Sequence, residues 1–425
     1  EIKNLNVKII YQKSPVPFDL GTLQREAYKI FSYTPRRTLL IAQHLYLDAL
    51  ISYPRTNSQK LPSSIGYRNI LKALSRKFGY KQLASKLLEK DDLKPREGIK
   101  DDPAHPAIYP TGKLPEKPLG IPEKRVWDLI VRRFMAGFGE DAQKENINAI
   151  LEVNHHAFFL KGRRILKDGW MIFYKPYTRT QEIFLPPLKI GNFVWMQKVT
   201  LHDKFTYPPP HYNPSSLLKK MEQLGIGTKA TRGEIIQTLF NRGYIIDQSL
   251  VVTELGFNII DVLENYSSNV VSALLTKELE EKMDQIQNET MKRETVLAEV
   301  IEQLKVQIAH FKENEESIGE ALTKAIKKAK TQELMIGKCP KCGTGELVII
   351  TSRKTKKRFI GCNNYFNKLC ETSFPLPQYG TVKPAKNRCK ACSWPTVLVW
   401  FKSKKPWNLC FNPNCFLKEG KRSKP

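Results

Sequence analysis

Cysteine is missing from the first 338 residues of this 425-residue chain, and all eight thiols fall in the remainder. Long apolar runs are missing too. No stretch reaches the eighteen or so consecutive apolar residues that a membrane-spanning helix needs. The opening residues, EIKNLNVKIIYQK, are charged throughout and do not read as a signal peptide. They also lack an initial Met, which points to a fragment or a processed subunit. Acidic residues are scarce: 42 Asp and Glu face 69 Lys and Arg, for a net charge of +27. Two motifs are absent as well. There is no Asp-x-Asp pair, only the adjacent Asp91-Asp92 and Asp101-Asp102. There is no G-x-x-x-x-G-K-[ST] phosphate loop either; Gly225-Ile-Gly-Thr-Lys229 has the wrong spacing and reads as a turn.

What is present is enough for three to four domains by length. Apolar residues make up 41% of the chain, sufficient to bury real cores. A charge excess this large is an argument about partners, and nucleic acid leads. The excess is uneven: from Lys338 onward nineteen Lys and Arg face three Glu, a surplus of +16.

Periodicity predicts a short strand at 7–11 and helical character over 22–50, with Pro35 near a start. That helix stops at Ser52-Tyr53-Pro54, because Pro54 pushes Tyr53 out of the helical region. Residues 70–90 and 126–138 read as helices, and the prolines of 101–118 make that stretch irregular. The strings INAILEV, HAFFLKG, WMIFYKPY and FVWMQKVTL over 146–207 read as a β-rich domain. Residues 215–223 return to helix. Thr231-Arg-Gly-Glu234 is a capping-box pattern before the apolar face Ile235, Ile236, Leu239, Phe240. Alternation over 244–253 predicts a hairpin, so helix, helix, hairpin resembles a winged helix. Two further helices use Leu275 to Ile286 and Leu297 to Phe311, and 313–330 is a charged helix or linker.

Cys339 and Cys342 precede Cys362 and Cys370; Cys389 and Cys392 precede Cys410 and Cys415. Each set of four thiolates can close a tetrahedral Zn²⁺ site, though an iron–sulfur cluster would use the same ligands. A module of about forty residues cannot bury enough core by itself, so the metal supplies folding energy. Such spacing suits a reducing cytoplasm better than a disulfide framework. Between the pairs lie Arg353, Lys354, Lys356, Lys357, Arg358 and Phe359, then Trp394, Trp400, Phe401, Lys404, Lys405 and Trp407. Cations suit phosphates and aromatic faces suit unpaired bases, while about half of these aromatics are expected to pack the small cores instead.

The chemically richest string is LDALISYPRTNS at 47–58. It sets the Tyr53 phenol beside the permanent cation Arg55 and the polar side chains of Thr56, Asn57 and Ser58. Residues 38–58, TLLIAQHLYLDALISYPRTNS, resemble the active-site segment of type IA DNA topoisomerases. Asp102-Pro-Ala-His-Pro-Ala-Ile-Tyr-Pro-Thr111 resembles their second segment, and Gly225-Ile-Gly-Thr-Lys-Ala-Thr-Arg232 with Asn241-Arg-Gly-Tyr-Ile245 a third. Order and spacing agree over residues 1 to about 310, closest to archaeal topoisomerases of the topoisomerase III kind.

The resemblance implies a multidomain α+β chain with a toroidal core. A β-rich arch domain (1–20 and 135–211) would flank a helical Tyr domain (21–134) and a helical winged-helix-like domain (212–335). Zinc ribbons would follow at 336–380 and 381–425. It implies ATP-independent cleavage of one DNA strand by Tyr53 through a 5′-phosphotyrosine, strand passage and resealing. Arg55 and His105 would act in catalysis, with Asp102 available to orient His105. Thr56, Ser58, Asp102, Lys229, Thr231 and Arg232 would hold single-stranded or negatively supercoiled DNA. The family also carries an acidic Toprim domain that binds Mg²⁺, which this sequence lacks, so a Toprim-bearing chain or segment is an expected partner. A cytoplasmic, nucleoid-associated location follows. The alternatives are a non-catalytic single-strand-binding subunit, the topoisomerase half of a split reverse gyrase, and a zinc-ribbon transcription factor that would explain the tail alone.

Overall fold

The computed structural model describes every residue except 179, 196, 268–270, 366, 402–404 and 417–425. The chain groups into two compact units, one of residues 1–251 with 272–297 and one of 252–271 with 298–425. The architecture is α+β.

In the first unit, β1 (Ile2–Gln12), β2 (Ala142–Val153) and β3 (His156–Lys167) form an antiparallel sheet in the order β1-β2-β3. The expected strand at 7–11 is thus part of a longer one. Residues 22–50 form two helices rather than one: α1 (Leu20–Phe31) and α2 (Pro35–Leu47). Ser32 turns the chain with φ 57°, and Pro35 sits in the first turn of α2, where its missing N–H costs nothing. Residues 70–90 likewise split into α3 (Tyr67–Ser75) and α4 (Lys81–Leu88), and α5 runs from Ile121 to Gly137. Leu23, Leu45, Leu71, Leu87, Trp127 and Leu129 meet in one buried core between these helices.

Two β expectations fail. WMIFYKPY contains the short helix α6 (Met171–Tyr174), because Trp170, Met171, Phe173 and Tyr174 all turn into the helical core rather than onto a sheet. FVWMQKVTL forms no strand among the described residues, and Phe193, Trp195 and Leu201 are exposed. Aromatic content signalled strand, but among the described residues no neighbouring strand pairs with this stretch.

Beyond it come α7 (Pro214–Gln223), α8 (Arg232–Asn241), the paired two-residue strands β4 (Ile245–Ile246) and β5 (Val251–Val252), and α10 (Ala273–Gln287). The capping box at Thr231 is not formed. Thr231 stands at the N-cap, but its backbone is helical and its side chain makes no cap bond. Its hydroxyl serves the preceding turn, accepting from the Thr228 N–H at 2.9 Å, while Glu234 pairs with Arg36 at 2.9 Å. Capping boxes stand instead at Asp19 and Asn213.

The second unit holds α9 (Glu254–Ser267), which sequence periodicity did not single out, most of α11 (Arg293–Glu313), and α12 (Glu315–Glu333). Two sheets follow. One is β6 (Met335–Lys338), β7 (Glu346–Thr351), β8 (Arg358–Cys362) and β9 (Ser373–Pro375); the other is β10 (Thr381–Arg388), β11 (Pro395–Trp400) and β12 (Trp407–Cys410). Among the described residues, no helix is long and apolar enough to cross a membrane.

Candidate active site and metal centres

The site is built where α2 ends. Ala49, with φ 57°, turns the chain, and Leu50 and Ile51 bury themselves as an anchor. Residues 50–52 then pair with 109–111: Ser52 N–H donates to Tyr109 O at 2.9 Å, and Thr111 N–H to Leu50 O at 3.2 Å. The Ser52 hydroxyl donates to Ala107 O and accepts from Tyr109 N–H, at 3.2 and 3.0 Å. Two segments more than fifty residues apart in sequence are thereby locked together, and Tyr53 emerges beside His105. Their ring centroids lie 4.7 Å apart, and Tyr46 of α2 meets the Tyr53 ring at 5.3 Å.

Arg55 is half-buried and enters no ion pair among the described residues. Its guanidinium is steered by Gln43 of α2, whose amide oxygen, suitably oriented, accepts from Nε at 3.2 Å and Nη2 at 2.8 Å. The cation is held in place without being neutralised, which leaves its charge for an anion.

Thr56 and Ser58 lie differently from their expected role as phosphate contacts. Both are buried. Thr56 Oγ1 donates to His105 O at 3.0 Å and accepts from Ser58 N–H at 2.9 Å, while Ser58 Oγ accepts from Lys60 N–H at 3.1 Å. Their hydroxyls build the loop, satisfying backbone groups that burial would otherwise leave unpaired.

Among the described residues the Asp102 carboxylate makes no direct hydrogen bond to the His105 ring. That carboxylate accepts from the N–H of Asn57 and of Ala104, each at 3.1 Å, and takes the Lys229 ammonium. Burial opposes its ionisation, but Lys229 and the two N–H groups outweigh that and hold the carboxyl below its ordinary range. Lys229 belongs to the turn between α7 and α8, where Gly225 and Gly227 adopt φ of 68° and 66°. In the same turn Arg232 Nε donates to Ile226 O at 3.1 Å.

Sequence reasoning missed the fastening below this turn. Glu222 of α7 takes Arg25 of α1 at 2.6 Å and also the Lys100 ammonium. Lys100 stands 3.4 Å from Asp19, which accepts from Gln59 Nε2 at 2.9 Å. The one signal available was local, the Asp19-x-x-Thr22 cap; the long-range pairs leave no trace in spacing.

The eight cysteines form two clusters of four, and within each the sulfurs lie within 4.8 Å of one another. Sulfur pairs stand at 3.9 Å (Cys339 and Cys370), 3.8 Å (Cys342 and Cys362), 3.7 Å (Cys389 and Cys415) and 3.6 Å (Cys392 and Cys410). Four sulfurs at about 2.3 Å from a central ion in tetrahedral geometry stand about 3.8 Å apart, so both clusters fit such a metal. Arg358 is not free for DNA: its guanidinium donates to Gly380 O and Pro377 O, each at 2.9 Å. Arg353, Lys354, Lys356 and Lys357 are exposed between β7 and β8, whereas Trp394 packs against Phe374 and Phe411. Lys404 lies outside the described residues.

A family model described as DNA topoisomerase matches residues 1–298. The chain is 42% identical over 418 residues to DNA topoisomerase 1 of Pyrococcus horikoshii, covering 97% of this chain and 60% of that protein. It is 42% identical over 422 residues to DNA topoisomerase 1 of Methanocaldococcus jannaschii, covering 99% and 53%. Full-length topoisomerase I from Thermotoga maritima shares the fold, with a TM-score of 0.55 and 23% identity over 91% of this chain and 61% of that one. The chain thus spans a little over half the length of the curated relatives it matches.

Proposed function

The chain belongs to the type IA DNA topoisomerase family, and from that premise we propose that Tyr53 is the nucleophile of a transient single-strand DNA break. The observation that carries this reading is the pairing of residues 50–52 with 109–111, which brings Tyr53 to His105 beside an un-neutralised Arg55. The Tyr53 oxygen bonds to phosphorus while the bond from phosphorus to the 3′ oxygen breaks. The phenol proton is lost, and the departing 3′ oxygen takes one up. The break is thereby held as a 5′-phosphotyrosine, and the 3′ hydroxyl reverses the exchange after strand passage. Ester energy is conserved, so ATP is not required.

A phenol with an ordinary pKa of about 10 is a weak nucleophile at neutral pH and needs a cationic, hydrogen-bonding setting. Arg55 stabilises charge that builds on the phosphoryl oxygens. His105 contacts the scissile phosphate or relays the proton. Thr56 and Ser58 shape the loop, and Thr231 and Arg232 line the turn that faces the strand. The arch, Tyr and helical winged-helix-like domains span residues 1–20 with 135–211, 21–134 and 212–335. Two zinc ribbons follow at 336–380 and 381–425, in which Zn²⁺ would be structural, held by Cys339, Cys342, Cys362 and Cys370 and by Cys389, Cys392, Cys410 and Cys415. The substrate is single-stranded or negatively supercoiled DNA at the nucleoid. Mg²⁺ chemistry belongs to a Toprim-bearing segment acting together with these residues.

The test mixes the chain with a relative's Toprim-bearing portion, Mg²⁺ and a 3′-labelled single-stranded oligonucleotide. A covalent adduct at the 5′ end of the cleaved strand is expected. Tyr53→Phe should abolish it while leaving binding intact, and an adduct that survives Tyr53→Phe overturns the assignment.

A further inference from the structure

One carboxylate joins all three segments around Tyr53. Asp102 accepts from the N–H of Asn57, four residues past Tyr53, and from the N–H of Ala104, the residue before His105. It also pairs with Lys229, which arrives from the turn between α7 and α8. The Asp102 side chain is only 6% exposed and that of Lys229 30%. A carboxylate this enclosed is costly unless a cation and hydrogen bonds compensate it, and here both do.

We infer that Asp102 and Lys229 are positioning residues for the Tyr53 reaction: a charge-paired latch that holds the α7–α8 turn against the loop pressing His105 onto Tyr53. The inference rests on the reading of Tyr53 as nucleophile. It reassigns Lys229, whose residue type and place suggested a phosphate contact. A phosphate reaching Lys229 would have to displace an enclosed carboxylate whose one ion pair among the described residues is with Lys229. The two N–H bonds of Asp102 meanwhile tie the backbone on either side of the site. Asn57 fixes the exit of the Tyr53 loop, and Ala104 fixes the entry to His105.

The latch is separable from the folding of the region. Glu222, held by Arg25 and Lys100, fastens α7 to α1 independently of Lys229. Removing the Lys229 charge therefore loosens the turn above the site while its base stays attached. A shift of about 1 Å in a reacting group can cost about a hundredfold in rate.

The experiment uses the full chain with the Toprim-bearing portion, Mg²⁺ and a single-stranded oligonucleotide, and compares Lys229→Gln, Lys229→Arg and Asp102→Asn with the parent. Two quantities are read: the rate of adduct formation at saturating DNA, and the salt dependence of DNA binding. The latch requires Lys229→Gln and Asp102→Asn to slow the saturated rate by about 10- to 100-fold. The log–log salt slope should not change, and Lys229→Arg should recover most of the rate. A phosphate contact gives the opposite pattern: the slope falls by about 0.7 with Lys229→Gln, and the saturated rate survives. That result overturns the latch, as does a saturated rate within about twofold of the parent in Lys229→Gln. Should Asp102→Asn fail to fold, Lys229→Gln decides alone, because Lys229 is partly exposed on a turn. Tyr53→Phe separates the two readings. An adduct that persists in it sinks the nucleophile assignment, whereas loss of the adduct in Tyr53→Phe with a normal rate in Lys229→Gln sinks only the latch.

Discussion

A single methyl group added at Gly139 would lie 2.5 Å from Trp170 Cα, inside the contact distance of any real side chain. That atom is backbone, not the tip of a flexible side chain, so the backbone must move. Gly139→Ala should cost about 1–3 kcal/mol, read as a lowered urea midpoint with an unchanged slope. Glu222 makes a pH prediction. Burial works against its ionisation, but Lys100 and Arg25 outweigh that and hold its carboxyl below the ordinary range. The folded state then binds this proton less readily than the unfolded chain. The stabilisation is complete above the ordinary carboxylate range and is lost as the pH falls through the lower, folded value. Glu222→Gln should cost about 2 kcal/mol at neutral pH and flatten the acid side of the stability curve. Tyr53 and Arg55 stood out together in one short string, whereas His105 was singled out only through the resemblance to the family's second segment. The pairing of Asp102 with Lys229 could not be read there, because 127 residues separate the partners and neither carries a local sign of the other.

At the scale of elements, two helix starts give contrasting expectations. Asp19 accepts from the Thr22 N–H at 2.6 Å, so Asp19→Ala should cost at least the ~1 kcal/mol typical of a lost cap. Thr231→Ala should fall below that, because Thr231 caps nothing; urea melts of the two variants check the order. The cysteine modules give another prediction. Leu347 and Ile360 of the first share one buried cluster with Val397 and Val399 of the second. Phe374 lies 5.3 Å from both Trp394 and Phe411, closing the seam. Sharing a core solves the problem that neither module is large enough to bury one alone. Metal loss from one cluster should therefore loosen the other. The parent is expected to bind two zinc ions, and Cys392→Ser should lower that number toward none under a mild chelator, where independent modules would settle at one. Elemental analysis reads the difference.

Over the whole molecule, charge is the dominant fact. The four exposed cations between β7 and β8 should contribute to single-strand binding, each phosphate neutralised adding about 0.7 to the steepness of the log–log salt dependence. Replacing Arg353, Lys354, Lys356 and Lys357 by Ala should flatten that dependence at little cost in thermal stability. Arg358→Ala should do the reverse, since its guanidinium is spent on the carbonyls of Pro377 and Gly380. An unchanged slope in the fourfold variant would make the tail a protein-docking module.

The sequence by itself determined what is written in residue type and short spacing: four-cysteine sets, a tyrosine set between a helix end and an arginine, the basic surplus, and most of the helices. These are local, because a helix period or a ligand pair is complete within a few residues. Tertiary structure alone decided which polar groups face outward. Thr56 and Ser58 turned inward because their loop is buried and its backbone needed partners. WMIFYKPY became a helical turn because its aromatics found a core and no strand. Lys229 was claimed by a carboxylate from another segment because an enclosed charge takes the nearest opposite charge the fold supplies.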